Sequence, residues 1–196
     1  GGTISNAGSG TGIKALSTAT GDITISGNAT ISGCEKAIEA LRNNVIMTGG
    51  NIETCAKGIV GITDAVLTQS IEVSGGQILN GTYGVNAAFS TVTISGTAKI
   101  DGYATGVFAG TAKMQGGTIS NCTTVGISGG AITMTGGTLQ DNTIGINSVG
   151  GATMSGGTIT NTTTENIGKN IGIKGVSYGA TISDNATISY CYVAID

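Results

Sequence analysis

Proline, histidine and tryptophan do not occur in the 196 residues of this chain. Without histidine there is no imidazole base, no Cys-His nucleophile pair and no His-bearing zinc set. Charged residues make up only 10%, against roughly 25% in soluble domains. The balance is 8 basic to 11 acidic residues, a net charge of −3. That leaves no electrostatic footprint for nucleic acid and no polybasic patch for a membrane surface. No apolar run approaches the roughly 18 residues that a membrane span requires. The four cysteines form no CxxC pair, so neither a metal site nor a cofactor is expected.

Glycine is abundant, at 36 residues, yet it follows no Gly-X-Y period, which excludes collagen. It recurs instead inside a phrase: "GGTISN" at the start, "MQGGTISNC" at 114–122, "MTGGTLQDN" at 134–142 and "MSGGTITN" at 154–161. With the aliphatic residue of the phrase as anchor, the series is Ile4, Ile31, Ile52, Ile78, Ile100, Ile119, Leu139, Ile159 and Ile188, spaced by 19 to 29 residues. Nine degenerate repeats therefore cover the chain, as one domain with no linker.

Each repeat carries three strand-like pieces. The first alternates with period two, as in "ITIS" 23–26, "VIMT" 45–48 and "ITMT" 132–135. The second is the anchor triplet. The third, typically Gly-Ile or Gly-Val, follows the anchor by seven to nine residues in most repeats, and an insertion around 164–170 delays it to Ile173 in the eighth. Val, Ile and Thr in alternation indicate strands. "CEKAIEALRN" at 34–43 has helical flavour, but its Ala37-Ile38 falls on the third-strand position and reads as strand running into loop. Three short strands per coil, without a strict six-residue period, predict an all-β fold: a single right-handed parallel β-helix of about nine coils. Its rungs would stack about 4.8 Å apart.

The Gly-Gly-x-Ile…Asn phrases resemble the repeats of right-handed β-helices in bacterial surface proteins. These include adhesin-like proteins of anaerobic Gram-positive bacteria and, more loosely, autotransporter passenger domains. The resemblance spans essentially the whole chain. It implies a secreted or cell-surface setting and partners such as surface glycans, a host surface or further copies of the same chain. The same fold also hosts polysaccharide-cleaving enzymes, so the resemblance is specific for architecture and weak for activity.

The repeat assigns roles by column. Two residues after the anchor stand Asn6, Gly33, Thr54, Asn80, Gly102, Asn121, Asp141, Asn161 and Tyr190, mostly types that tolerate a left-handed corner. Met47, Met114, Met134 and Met154 share one inward column and read as core. All four cysteines lie three residues after an anchor, in what reads as a column of small residues. Cys34 and Cys55 fall on neighbouring coils, within disulfide range by Cα spacing, but parallel side chains favour two buried free thiols. Cys122 and Cys191 are three coils apart and cannot pair.

Chemistry on such a rod would need clustered carboxylates on one strand face. Only Glu53 and Asp101 flank anchors, two coils and about 9–10 Å apart. Lys99, Glu72 and Lys113 complete the one charged central patch. The bland reading, a solvated patch, outweighs catalysis. Tyr83, Tyr103, Phe89 and Phe108 fall near the same coils, where they cover corners or stack on sugars. A third feature is an outward Thr array: Thr118, Thr138, Thr158 and Thr187 in one column, Thr133, Thr153 and Thr181 in another. It resembles the regular Thr faces of ice-binding solenoids, with Lys113, Glu72, Gln115 and Gln140 interrupting it. The leading expectation is a non-enzymatic extracellular rod, an adhesin stalk or fibre subunit. Neither end shows a cap, so the expectation is either caps in flanking sequence or end-to-end stacking of molecules into a filament. The alternatives are a carbohydrate-binding or carbohydrate-cleaving helix acting at the charged patch, and an ice binder acting through the Thr face.

Overall fold

The computed structural model describes residues 1–6, 8–16, 21–62, 64–65, 68–162, 170–175 and 177–196. Ala7, of the cysteine column, and nearly all of the 164–170 insertion lie outside the described residues. Those described contain sixteen strands and no α-helix, hydrogen-bonded in parallel as one continuous sheet. The sheet winds into a β-solenoid of about eight turns, with the nine anchors as its successive rungs.

The anchors stack in register from Ile4 through Ile31, Ile52 and Ile78 to Ile100, and again from Ile119 through Leu139 and Ile159 to Ile188. Between the two runs, the Thr118 amide donates to the Ala98 carbonyl at 2.9 Å, the counterpart of the bond from Asn51 to Ala29. The third ladder likewise runs from Ile13 through Ile38, Ile59, Val85, Val107, Ile127, Ile146 and Ile173 to Ile195. The segment of helical flavour forms the strand Lys36–Ala40. The first ladder gains a rung that Val/Ile/Thr alternation does not single out: Ala112 and Met114, opposite Val92 and Ile94.

Inward aliphatics from the three ladders fill the interior. Ile52, Ile78, Ile100, Ile119 and Leu139 are completely buried, whereas Ile4 on the first rung is 37% exposed. The corner after the anchor is left-handed as expected. Gly33, Thr54, Asn80, Gly102, Asn121, Asp141 and Tyr190 take φ between 53° and 71°. Asn6 and Asn161 do not. Asn161 is buried, and its amide nitrogen reaches the Tyr190 carbonyl at 3.3 Å.

The corner before the anchor comes in two lengths. Where the phrase reads Gly-Gly, the second glycine takes φ near +80°, as at Gly137 and Gly157, and the ladder register shifts around it. Met47, Met114, Met134 and Met154 stand before four of these Gly-Gly corners, and Val73 stands before the one at Gly75-Gly76. The Met114 Cε reaches under the next coil's corner, so that a Cβ on Gly137 would stand 2.7 Å from it. The unbranched, adaptable thioether fills a hollow that the glycine leaves open. Coils with Ser-Gly-Asn-Ala or Ser-Gly-Thr-Ala have one more residue at this corner and Ile in the methionine column, as at Ile25 and Ile94.

Candidate functional site

The charged central patch divides between two strands of the coil. Glu53 and Asp101 lie on the anchor ladder, each in register with Leu79, which stands between them. Glu72 and Lys113 lie on the first ladder, on the other side of the glycine corner, and Thr93 pairs with Lys113. Glu72 takes a hydrogen bond from Ser70 Oγ at 3.3 Å. The five residues are therefore not one constellation.

Asp101 is the most tightly held of them. Its Oδ1 accepts from Ser120 Oγ and from Asn121 Nδ2, both at 2.7 Å, and its Oδ2 lies 3.3 Å from Lys99 Nζ. Partial burial pulls its pKa upward, but the Ser120 and Asn121 hydrogen bonds and the Lys99 charge outweigh that pull, and the net shift is downward. A general acid in glycoside cleavage needs the opposite environment, one that raises the carboxyl pKa. Asp101 is built as a fixed anion tying its own anchor segment to the anchor segment and corner of the next coil.

The cysteine column has a different logic from the one its residue sizes suggest. All four thiols are free. Cys34 and Cys55 are not bridged; the Cys34 amide donates to Cys55 Sγ at 3.3 Å, and Cys55 Sγ lies 4.0 Å from the Ile31 carbonyl. Four coils on, Asn142 fills the same place with the same partners: Cys122 N donates to its Oδ1 at 2.9 Å, and its Nδ2 donates to the Ile119 carbonyl at 3.0 Å. The column thus holds side chains that satisfy the corner amide one coil below. Nor is it restricted to small residues. Tyr103 occupies it fully buried, above Gly81, whose missing side chain makes the room. The expectation that Tyr103 covers a corner or offers a sugar platform is thereby corrected. Burial pushes the Cys122 thiol up to about 12, against weaker opposing hydrogen bonds from backbone amides, so it is inert at neutral pH.

The two Thr columns form as read. Thr118, Thr138, Thr158 and Thr187 are in register, as are Thr133, Thr153 and Thr181. They sit on different strands, separated by the glycine corners.

What sequence reading missed lies on the third ladder. Two outward columns run along the rod axis there: Lys36, Lys57, Tyr83 and Thr105, and beside them Glu39, Val60, Asn86 and Phe108. Of these, Lys36, Glu39, Lys57, Val60 and Asn86 line a groove with Phe89 on its rim. Glu39 is nearly buried and bridges Lys14, at 3.1 Å, and Lys36. The hydrogen bond from Lys36 holds its carboxyl below the usual range against the opposing effect of burial, and Lys14 adds to the lowering. Tyr83 and Phe108 form a tilted ring pair with centroids 6.5 Å apart. The individual aromatics were visible in sequence, but their convergence with the lysines was not, because the charged residues nearest in column order were those flanking the anchors.

Among the described residues, no group of three or more His, Cys, Asp or Glu side chains is placed to hold a metal ion, and no helix is long and apolar enough to cross a membrane. Compared with family models, curated proteins and solved structures, the chain matches none. Its likeness to bacterial surface repeats rests on the repeat phrases, and what the structure shows of it is the parallel β-solenoid itself.

Proposed function

We propose that the chain is a non-enzymatic structural segment of a secreted or cell-surface protein, a rod that spaces or displays adhesive surfaces. One observation carries this reading. At the only place where carboxylates flank the anchors, Asp101 is ion-paired, doubly hydrogen-bonded and held anionic, with Leu79 between it and Glu53. Among the described residues, no second pair of carboxylates flanks the anchors. The test is an assay for new reducing ends or unsaturated products from pectate, alginate and xylan, with calcium present. No turnover is expected. Turnover that disappears in Asp101→Asn would overturn the reading.

Open rungs support an assembly role. Ile4, Ile182 and Ile195 are inward residues left 37%, 38% and 46% exposed on the first and last rungs. A further coil of the same kind, from the same polypeptide or a second copy, would cover them and pair the free ladder edges. In electron micrographs, rods of this chain are expected to lengthen as its concentration rises. Short rods of one length at every concentration would count against stacking. A second reading, ice binding, is favoured by the four-rung Thr118–Thr187 column; a thermal-hysteresis measurement without a freezing gap removes it.

A further inference from the structure

We propose that the third-ladder groove binds an acidic oligosaccharide laid along the rod axis: Lys57 pairs with a sugar carboxylate, Asn86 bonds hydroxyls, and Phe89 stacks on a sugar face. This goes beyond the rod reading and stands without it.

The first support is unspent bonding capacity. Lys57 has no carboxylate partner among the described residues, whereas Lys14 and Lys36 are both committed to Glu39. The Asn86 carbonyl accepts from the Gly61 amide at 2.9 Å, but its side-chain amide makes no bond among the described residues. Asn86 and Lys57 both line the groove. The second is the ring. Phe89 is 48% exposed on the rim of that groove, an apolar face beside a free amide and a free ammonium. Stacking on an aromatic ring with polar groups at its edge suits a pyranose, which has an apolar face and a hydroxyl rim.

The geometry selects a polymer. Side chains of equivalent position recur every ~4.8 Å along the axis, so an extended chain there meets Lys57 on one rung, Asn86 and Tyr83 on the next, and Phe108 on the one after. It also disfavours an added peptide strand, which needs unpaired backbone at a sheet edge. Here each rung's backbone is already bonded to the rungs on either side. Charge selects an acidic sugar over a neutral one. Two lysines, Lys36 and Lys57, and one glutamate, Glu39, line the groove, and Lys14 pairs with that same glutamate from outside it, in a chain whose net charge is −3.

The experiment is titration calorimetry of the intact chain with tetrameric galacturonate, alginate and hyaluronan fragments, with cellotetraose as the neutral control. At least one acidic fragment is expected to bind, more weakly as salt rises, and more tightly than cellotetraose. Phe89→Ala and Lys57→Gln should each weaken it roughly tenfold, with unchanged thermal unfolding because both side chains are at the surface. Lys113→Gln, on the first ladder, should leave it unchanged. Absence of binding by all three acidic fragments, equal binding of cellotetraose, or indifference to both groove substitutions would each overturn the proposal. None of these outcomes bears on whether the chain is a rod, which microscopy reads separately.

Discussion

At Gly84 the need for glycine comes from the neighbours. A Cβ there would stand 2.6 Å from Ile100 Cγ2 and 2.6 Å from the Gly106 carbonyl oxygen. The same clash recurs at Gly58 against Ile78, at Gly145 against Ile159 and at Gly172 against Ile188. The glycine at these third strands is therefore cut to fit the anchor of the next coil, which is why Gly-Ile and Ile recur together through much of the sequence. Gly84→Ala should cost about 1–3 kcal/mol, the usual range for overpacking a core, read from the urea midpoint at constant m-value. A substitution without effect would mean that the coils slide apart more easily than their register implies. Asp101 gives a second test at this scale. Its folded pKa lies below its unfolded one, about 3.9. Its contribution is therefore complete above the unfolded value and lost as pH falls through the folded one. Asp101→Asn should lower the urea midpoint at pH 7, and the gap from the parent should close as the pH drops below about 3.9. A gap that persists in acid would show that packing, and not the anion, is what the substitution removes.

Strands and corners divide the sequence into what could be read and what could not. Anchors, third strands and the methionine column were legible because each is written eight or nine times, so that one irregular coil does not hide the column. Features written once were not. Tyr103 is core only because Gly81 vacates the space beneath it, a compensation between residues 22 apart that no local pattern signals. The groove was hidden because it joins two columns of a ladder whose outward residues follow no repeated type, running Lys36, Lys57, Tyr83 and Thr105 in one and Glu39, Val60, Asn86 and Phe108 in the other. Gln69 is the third such case. It is 5% exposed in the connection from third to first strand, where polar residues normally face water. Its Oε1 accepts from the Ile62 amide at 2.9 Å and Ser90 Oγ at 2.7 Å; its Nε2 donates to the carbonyls of Ala40 at 3.0 Å and Asn43 at 2.7 Å. One side chain thus closes the corner over three coils. Gln69→Leu keeps the bulk and removes all four bonds. With each buried group left unsatisfied costing about 1–3 kcal/mol, it should destabilise the fold by roughly 3 kcal/mol or more. A double-mutant cycle with Ser90→Ala should show coupling, and strict additivity would mean that the network does not act as a unit.

Across the whole molecule, stability should follow position along the axis. Each coil touches only the coils on either side, so free energy is a sum of coil terms and nearest-neighbour interfaces. Interior coils have two such interfaces and terminal ones a single interface. The exposure pattern agrees. Inward residues of the third to seventh rungs are sealed, from Ile52 to Leu139, while Ile4, Ile182 and Ile195 at the two ends reach water. Over nine rungs the rod is roughly 40 Å long, too long for an opening at one end to require opening at the other. Hydrogen exchange followed by mass spectrometry should therefore show a gradient. Amides of the 99–120 and 125–140 strands should exchange slowest, by openings close to global unfolding. Those of 3–5, 180–182 and 193–195 should exchange fastest, by fraying. If end-to-end association buries the outer rungs, raising the protein concentration should slow exchange at the ends and leave the centre unchanged, because binding protects only what it covers. Uniform protection along the chain at low concentration would contradict the nearest-neighbour picture. Concentration-independent exchange at the ends would leave the rod intact and remove self-association from its role.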